Sequence, residues 1–226
     1  MALLDAEGLD ALSMRRLGGR LNAGATSLYW HVATKDELLE LVLDEVYGEF
    51  RAHDSEHGGW REVMLGFAYA MRDSLIRHAW AIPLIGTRPA IGPQALRVMS
   101  RLTNTFDQAG FEGFDTEYAT AVVLSYVLGA VAPEAAWKTM TVRGGGDAQA
   151  VRAAMRPLLA EAAAGHPDLL ARFDSYEHED PAVLRALSFD FGLGCVLDGL
   201  AARLDRQATG SRPSSARPAG KESPAS

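Results

Sequence analysis

The pattern of hydrophobic and polar positions is helical along most of the chain. Apolar residues recur at three- and four-residue spacing, as in Val63, Phe67, Met71 and Leu75. This spacing predicts amphipathic helices that bury one face. We therefore expect an all-α protein. The predicted helices span residues 1–7, 12–21, 25–32, 34–50, 60–80, 93–108, 115–139, 148–164, 169–173 and 181–206.

Local signals predict where several helices begin or end. Gly8 follows the first apolar helix and is a typical stop residue. Thr34 and Glu37 have the spacing of a capping box, in which each side chain bonds the other's backbone N–H. Asp115 and Asp180 are predicted N-caps for the helices that follow them.

A helix pair near the N-terminus carries an unusual outward face. Asn22 and Gly24 form a tight turn between helices 12–21 and 25–32. At 100° per residue, the second helix turns one side outward that is polar and aromatic and has no carboxylate. That side comprises Thr26, Ser27, Tyr29, Trp30 and His31.

The charge pattern around this pair indicates contact with phosphate. The chain has a formal net charge of -7, but no acidic residue lies between Asp10 and Asp36. A basic island in an acidic protein is typical of nucleic-acid binding. An ordinary helical hairpin with a solvated basic side is the alternative. The cations of this stretch are Arg15, Arg16, Arg20 and Lys35.

The runs SMRRL, SLYWHV and TKDELLELV, with GTRP at residues 86–89, resemble the tetracycline-repressor (TetR) family of regulators. The resemblance implies a dimer with a helix-turn-helix head, whose second helix enters the major groove of DNA. It implies that helix 34–50 links this head to a helical body. By position, it assigns DNA contacts to Arg15, Thr26, Ser27, Tyr29, Trp30, His31 and Lys35.

The body departs from the family's metal–drug site. Leu84 stands where the family has a metal-binding His, and the partner carboxylate falls near Pro133. We therefore expect no metal, no magnesium–tetracycline ligand and no cofactor. An apolar effector pocket is predicted instead, with plain core packing as the alternative. Its candidate residues are Phe67, Met71, Trp80, Arg88, Phe106, Tyr126 and Trp137.

Small residues on the last helix predict a close helix contact. Gly192, Cys195 and Gly199 share one side of helix 181–206. The resemblance implies that this helix pairs with its twofold mate and with helix 115–139, which contributes Tyr118 and Val122. We therefore predict a four-helix dimer interface, and packing within one chain is the alternative.

Composition is that of a globular protein, with 48% hydrophobic and 23% charged residues among 226. A single cysteine excludes an internal disulfide framework. No signal peptide is visible, and the apolar run 121–132 is too short to span a bilayer, so a cytoplasmic location without membrane contact is expected. His53 and His57 are read as part of a solvated linker rather than as metal ligands.

We expect a helix-turn-helix domain at residues 1–50, a ligand-binding and dimerisation domain at 51–207 and a disordered tail at 208–226. The predicted function is a repressor released from a palindromic double-stranded DNA operator by a small-molecule effector. A dimeric small-molecule-binding protein with impaired DNA binding is the alternative, because the resemblance places the start of the first helix upstream of Met1. No nucleophile elbow, phosphate loop or paired-carboxylate motif is present, so an enzyme is not expected.

Overall fold

The computed structural model describes residues 1–20, 30, 32–51, 58–143, 145–176 and 179–210. The described residues form α-helices and two short 3-10 turns, at Leu9–Ala11 and Ala79–Ala81, and contain no β-strand. The all-α prediction is confirmed. The helices are α1 Ala2–Glu7, α2 Met14–Arg20, α3 Lys35–Glu49, α4 Trp60–Arg77, α5 Pro93–Ala109, α6 Phe114–Arg143, α7 Ala148–Ala162, α8 Pro167–Ser175 and α9 Pro181–Gly210.

The predicted stop and capping signals act close to where the sequence puts them. Gly8 ends α1 with a φ of 78°. At the start of α3, the Thr34 hydroxyl accepts a hydrogen bond from the Glu37 N–H at 3.0 Å. The Glu37 carboxylate accepts from the N–H of Ala33 at 2.7 Å, one residue before the partner expected in a reciprocal box.

Several predicted helix ends differ from the structure. Asp115 does not cap α6, which begins one residue earlier; its carboxylate instead accepts hydrogen bonds from Arg203 of α9. The helix predicted over 60–80 ends at Arg77, and a 3-10 turn follows it. Finally, α9 continues to Gly210, three residues into the predicted tail. The remainder of that tail, residues 25–29 and 31 of the predicted helix 25–32, and the His53–His57 pair lie outside the described residues.

The long helix α6 forms the centre of the body. It packs against α4, α5 and α9. A row of small apolar residues at four-residue spacing is buried along it, and this row lets the three neighbours approach closely. The row comprises Ala119, Val123, Val127, Val131 and Ala135.

One expectation about α6 needs correction. The apolar run 121–132 is short, but the helix Phe114–Val142 is long and apolar enough, by length and composition, to cross a membrane. In this fold the helix is a core element, because its buried row faces three other helices of the body. Packing within the chain therefore accounts for the buried part of its apolar surface.

The glycine at 192 is used within one chain. A Cβ atom there would overlap the phenol ring of Tyr126 on α6. The Tyr126 hydroxyl donates to the carbonyl oxygen of Phe189, one turn before Gly192, at 2.7 Å. The α6–α9 crossing therefore supplies an intrachain reason for this small residue, and the dimer assignment of Gly192 stays a prediction.

Helices α1 to α3, here called the head, join helices α4 to α9, the body, through a polar cluster around a buried histidine. His78 is 6% exposed and lies between two carboxylates, 2.6 Å from Asp5 of α1 and 3.2 Å from Glu49 of α3. The indole N–H of Trp80 also donates to Asp5, at 2.7 Å. Glu49 accepts a further bond from the Ser74 hydroxyl at 2.9 Å. We call these five residues the joint cluster.

A second contact between head and body lies at the N-terminus of α5. Gly92 precedes α5 and offers no side chain to cap it. The Asp44 carboxylate of α3 fills this role, accepting from the backbone N–H groups of Gln94 at 3.1 Å and Ala95 at 2.9 Å. A Cβ atom at Gly92 would overlap Asp44, so glycine is the residue that fits there.

The opposite end of the body is packed more loosely. Helices α7 and α8 contain no buried residue. Contacts that hold them are largely polar and at the surface, such as the Arg156–Asp174 ion pair at 2.6 Å. Arg152 of α7 donates to the carbonyl oxygen of Glu179, at 3.2 Å. We call this region, residues 137–185, the distal end.

Candidate DNA-binding head and body cavities

The described part of the predicted DNA face is open to solvent. Arg15 on α2 and Lys35 on α3 are exposed, and Trp30 is 85% exposed. An indole this exposed has lost the packing that usually stabilises it, which favours a role in binding. Thr26, Ser27, Tyr29 and His31 lie outside the described residues.

The charges of the head are less concentrated than the sequence indicates. Glu7 of α1 forms ion pairs with Arg16 at 2.5 Å and with Arg20 at 3.2 Å. Glu7 lies before the stretch between Asp10 and Asp36 that has no acidic residue. The charge pattern along the sequence therefore does not reveal these two ion pairs. Arg15 and Lys35 have no ion pair with any residue that the structure describes.

Lys35 occupies a position that is unfavourable for stability alone. It is the first residue of α3, where the helix dipole is positive and disfavours a cation. The same helix N-terminus attracts phosphate groups through its free backbone N–H donors. A Lys there adds a positive charge to an anion site, so the arrangement fits contact with a DNA backbone.

Most of the predicted pocket residues pack together in the core and do not line one common cavity. Phe67, Met71 and Phe106 are core residues at 3%, 1% and 0% exposure. Trp80 belongs to the joint cluster, and Tyr126 packs against α9.

Arg88 contacts the head instead of a cavity. Its guanidinium lies 2.6 Å from Asp36 and 3.8 Å from Glu40, both on α3. The GTRP loop therefore bonds the linking helix. This contact is a third position at which body and head are joined.

Among the cavities lined by described residues of the body, two include a predicted pocket residue. The larger, about 620 Å³, is at the distal end and includes one predicted residue, Trp137. The smaller, about 240 Å³, lies between α3, α4 and α5 and includes another, Phe67. The larger cavity combines apolar walls with three arginines; its principal lining residues are Trp137, Arg152, Arg156, Phe173, Tyr176 and Arg185.

Sequence reasoning missed the three arginines of the larger cavity. Arg152 and Arg156 lie on an alanine-rich helix, and Arg185 lies one turn into α9, where charged residues are usually solvated. Trp137 precedes them by 15 to 48 positions. Their proximity comes from the return of α7, α8 and α9 to the end of α6, and no local spacing shows it.

The predicted dimer face is exposed in the single chain. Tyr118 is 63% and Val122 is 45% exposed on α6, and Cys195 is exposed on α9. Near Gly199 no atom lies within 4 Å of a Cβ position, which leaves this part of α9 open. Within the described ranges, no group of three or more His, Cys, Asp or Glu side chains could hold a metal ion.

A small helical head joined by a linking helix to a larger helical body with cavities defines a one-component transcription regulator. Comparisons with known proteins identify the family. Residues 1–42 match the model for bacterial regulatory proteins of the tetR family. Residues 53–204 match the tetracyclin repressor-like C-terminal domain. The chain belongs to the tetR family.

Curated relatives agree with this assignment. An HTH-type transcriptional regulator of Saccharopolyspora erythraea is 38% identical over 200 residues, covering 88% of this chain and 80% of that protein. The HTH-type transcriptional repressor DrrR1 of Streptomyces coeruleorubidus is 33% identical over 202 residues, covering 88% and 73%.

Solved structures show the same fold with ligand and with DNA. The Streptomyces coelicolor TetR family protein ActR in complex with actinorhodin aligns with a TM-score of 0.68 at 29% identity, covering 90% of this chain and 93% of ActR. BioQ with its double-stranded DNA operator aligns at 0.53 and 29% identity, covering 68% and 91%. The protein is a ligand-responsive DNA-binding transcription regulator, and a form with impaired DNA binding is not favoured.

Proposed function

We propose that the protein acts as a cytoplasmic homodimeric repressor without enzymatic activity, and that its two heads bind a palindromic operator. In this proposal residues 1–50 are the DNA-binding domain, 51–207 carry the effector site and the dimer interface, and 208–226 form a tail. The relatives' names as regulators and repressors, and the operator complex of BioQ, support it.

The main support for DNA binding is that Arg15, Trp30 and Lys35 of the head are exposed. The other cations of the head, Arg16 and Arg20, are paired with Glu7. A cation at the N-terminus of α3 would bind a phosphate and fix the register of the head on the duplex. The predicted recognition residues, including Tyr29 and His31, would then contact base edges in the major groove.

The dimer is supported by the apolar residues that α6 and α9 leave in solvent. Phe114, Tyr118 and Val122 are spaced by four on α6, and Leu187 and Phe191 by four on α9. Each set forms one stripe along its helix. Exposed apolar stripes on two neighbouring helices are typical of a four-helix interface between subunits.

Release by an effector would follow from its preference for one conformation. A ligand weakens DNA binding only if it binds the conformation with misplaced heads more tightly than the DNA-binding one. The joint cluster and the Arg88–Asp36 contact would transmit the change, because they connect body elements directly to α1 and α3.

Substitution of the predicted recognition residues tests DNA binding. Fragments of the source genome that bind the purified protein are first selected, and affinity is then measured by fluorescence anisotropy. Tyr29→Ala and His31→Ala should each weaken operator binding by about tenfold or more, since a good base contact contributes about 1–3 kcal/mol. Lys35→Gln should weaken binding to all sequences and reduce the salt dependence by about one phosphate contact.

A matched control lies at the distal end, far from the head in the chain. His166→Ala removes the same side chain as His31→Ala, from an exposed position outside the cavity lining, and should leave operator affinity unchanged. Parent-like binding by both head variants would contradict the assignment of the recognition helix. Sedimentation equilibrium should show a dimer for every variant, and a monomer at all concentrations would contradict the proposed assembly.

A further inference from the structure

The larger cavity has a size suited to a small molecule and a distinctive lining. Its volume of about 620 Å³ lies within the range of sites that enclose drug-sized ligands. Aromatic side chains supply its walls, from Trp137 on α6, Phe173 on α8 and Tyr176 at the end of α8. Such walls favour planar ring systems, because stacked rings gain both buried area and favourable ring geometry.

Arg185 supplies the polar group at which a ligand would be oriented. Its guanidinium lies over the ring of Trp137, 4.9 Å from the ring centre. It makes no hydrogen bond or ion pair with any residue in the described ranges. Burial lowers the pKa of this guanidinium, and so does the charge of Arg152, against the opposing effect of Glu134 and Asp180.

The carboxylates around Arg185 are already engaged. Glu134 accepts two bonds from Arg72 of α4, at 3.0 and 2.8 Å. Asp180 caps α9 by accepting from the N–H of Ala182 at 2.8 Å. Asp174, on the cavity wall, is paired with Arg156. A half-buried guanidinium with unused N–H donors therefore faces a cavity in which the acid among the described lining residues, Asp174, has another partner.

We propose that this cavity binds a planar aromatic carboxylate, with the carboxylate on the Arg185 guanidinium and the ring between the aromatic walls. Guanidinium and carboxylate match in shape and form two parallel charge-assisted hydrogen bonds. The Trp137 ring holds the guanidinium in place without using its edge N–H donors. This inference names the chemistry of the effector and in that respect rests on the proposed function.

Binding of simple probes tests the inference without DNA. The full-length protein is titrated by calorimetry at neutral pH with 2-naphthoate, with its neutral analogue 2-naphthamide and with the aliphatic anion decanoate. We expect 2-naphthoate to bind at least about tenfold more tightly than 2-naphthamide, because the amide forms no charge-assisted pair. It should also bind more tightly than decanoate, which cannot stack.

Variants assign the preference to the cavity. Arg185→Gln should remove the preference for 2-naphthoate over 2-naphthamide, and Trp137→Leu should weaken both aromatic probes. Arg61→Gln is the matched control, since Arg61 pairs with Asp198 on the surface and lies outside the cavity lining. It should retain the parent preference. Circular dichroism checks that each variant is folded.

Equal binding of the two naphthyl probes, or decanoate binding as tight as that of 2-naphthoate, would overturn the inference. A preference for 2-naphthoate that survives Arg185→Gln would also overturn it. So would the absence of 2-naphthoate binding, which is the result expected if a second subunit fills the cavity. Operator affinity is measured separately, without probe. Lost probe preference with intact operator binding removes this inference alone, and the reverse result removes the proposed repressor function alone.

Discussion

The joint cluster and the distal end differ in how they attach peripheral helices to the rest of the molecule. At the joint, His78 and Trp80 are each 6% exposed and their polar atoms bond carboxylates from α1 and α3. At the distal end, α7 and α8 bury no residue and are held by surface ion pairs and bonds to carbonyl groups.

This difference bears on how a regulator divides its stability. Helices without buried residues open at low free energy, whereas elements locked by buried, satisfied polar groups open only with the core. The distal end can therefore open around a ligand while the joint retains its geometry. In the proposed mechanism, a displacement at the cavity would reach the head through this rigid connection.

Truncating one leucine in each region should give the largest contrast. Leu75→Ala on α4 removes a side chain with 0% exposure, four residues before the joint's 3-10 turn, and should cost about 2–5 kcal/mol. Leu158→Ala on α7 removes one that is 67% exposed and should cost under about 0.5 kcal/mol. Urea unfolding at one fixed protein concentration measures both. Similar losses for the two variants would refute the comparison.

Removing one carboxylate from each region should give a smaller contrast. Asp5→Ala removes the acceptor of the buried Trp80 N–H and one of the two carboxylates that contact His78, Glu49 remaining, and should cost about 1–3 kcal/mol. Asp174→Ala breaks an exposed pair with Arg156 and should cost about 0–1 kcal/mol. Thermal unfolding of the two variants checks the order, and an equal shift of the melting temperature would count against a rigid joint.

The smallest effect is expected in the pH dependence of the linking helix. Burial and the nearby Asp44 carboxylate raise the pKa of Tyr47 on α3. The unfolded chain therefore loses this proton at a lower pH than the folded chain, and the free energy of unfolding falls as pH rises above about 10. Tyr47→Phe should reduce that fall. Parallel curves for parent and variant between pH 9 and 11 would show that Tyr47 does not contribute.

The helices and the family were predictable because their signals are local or contiguous. Thr34 and Glu37 are three positions apart and mark the start of α3, and Gly92 directly precedes Pro93 at the start of α5. Each of these helix starts can be recognised from a short stretch of sequence. The wrong ends have non-local causes. The sequence predicts Asp115 as an N-cap, but its carboxylate accepts a hydrogen bond from Arg203 of α9, 88 residues later in the chain.

The cavity could not be predicted for the same reason. The sequence predicts Phe67 and Met71 as pocket residues, but both side chains are buried in the core, as large apolar residues usually are. From the sequence, Arg185 is expected to be a surface residue. In the structure its guanidinium lies over the ring of Trp137, in the last part of α6. The base-contacting residues of the recognition helix lie outside the described ranges and remain a prediction from the family motif.

The Asp44 contact has a consequence for how the molecule can move. Because α5 has no capping side chain of its own, a shift of α3 away from the body would strip two backbone N–H groups of their acceptor. Losing such a cap costs about 0.5–2 kcal/mol. Helices α3 and α5 are therefore expected to move together, so the proposed reorientation of the heads would also displace α5, a helix of the body.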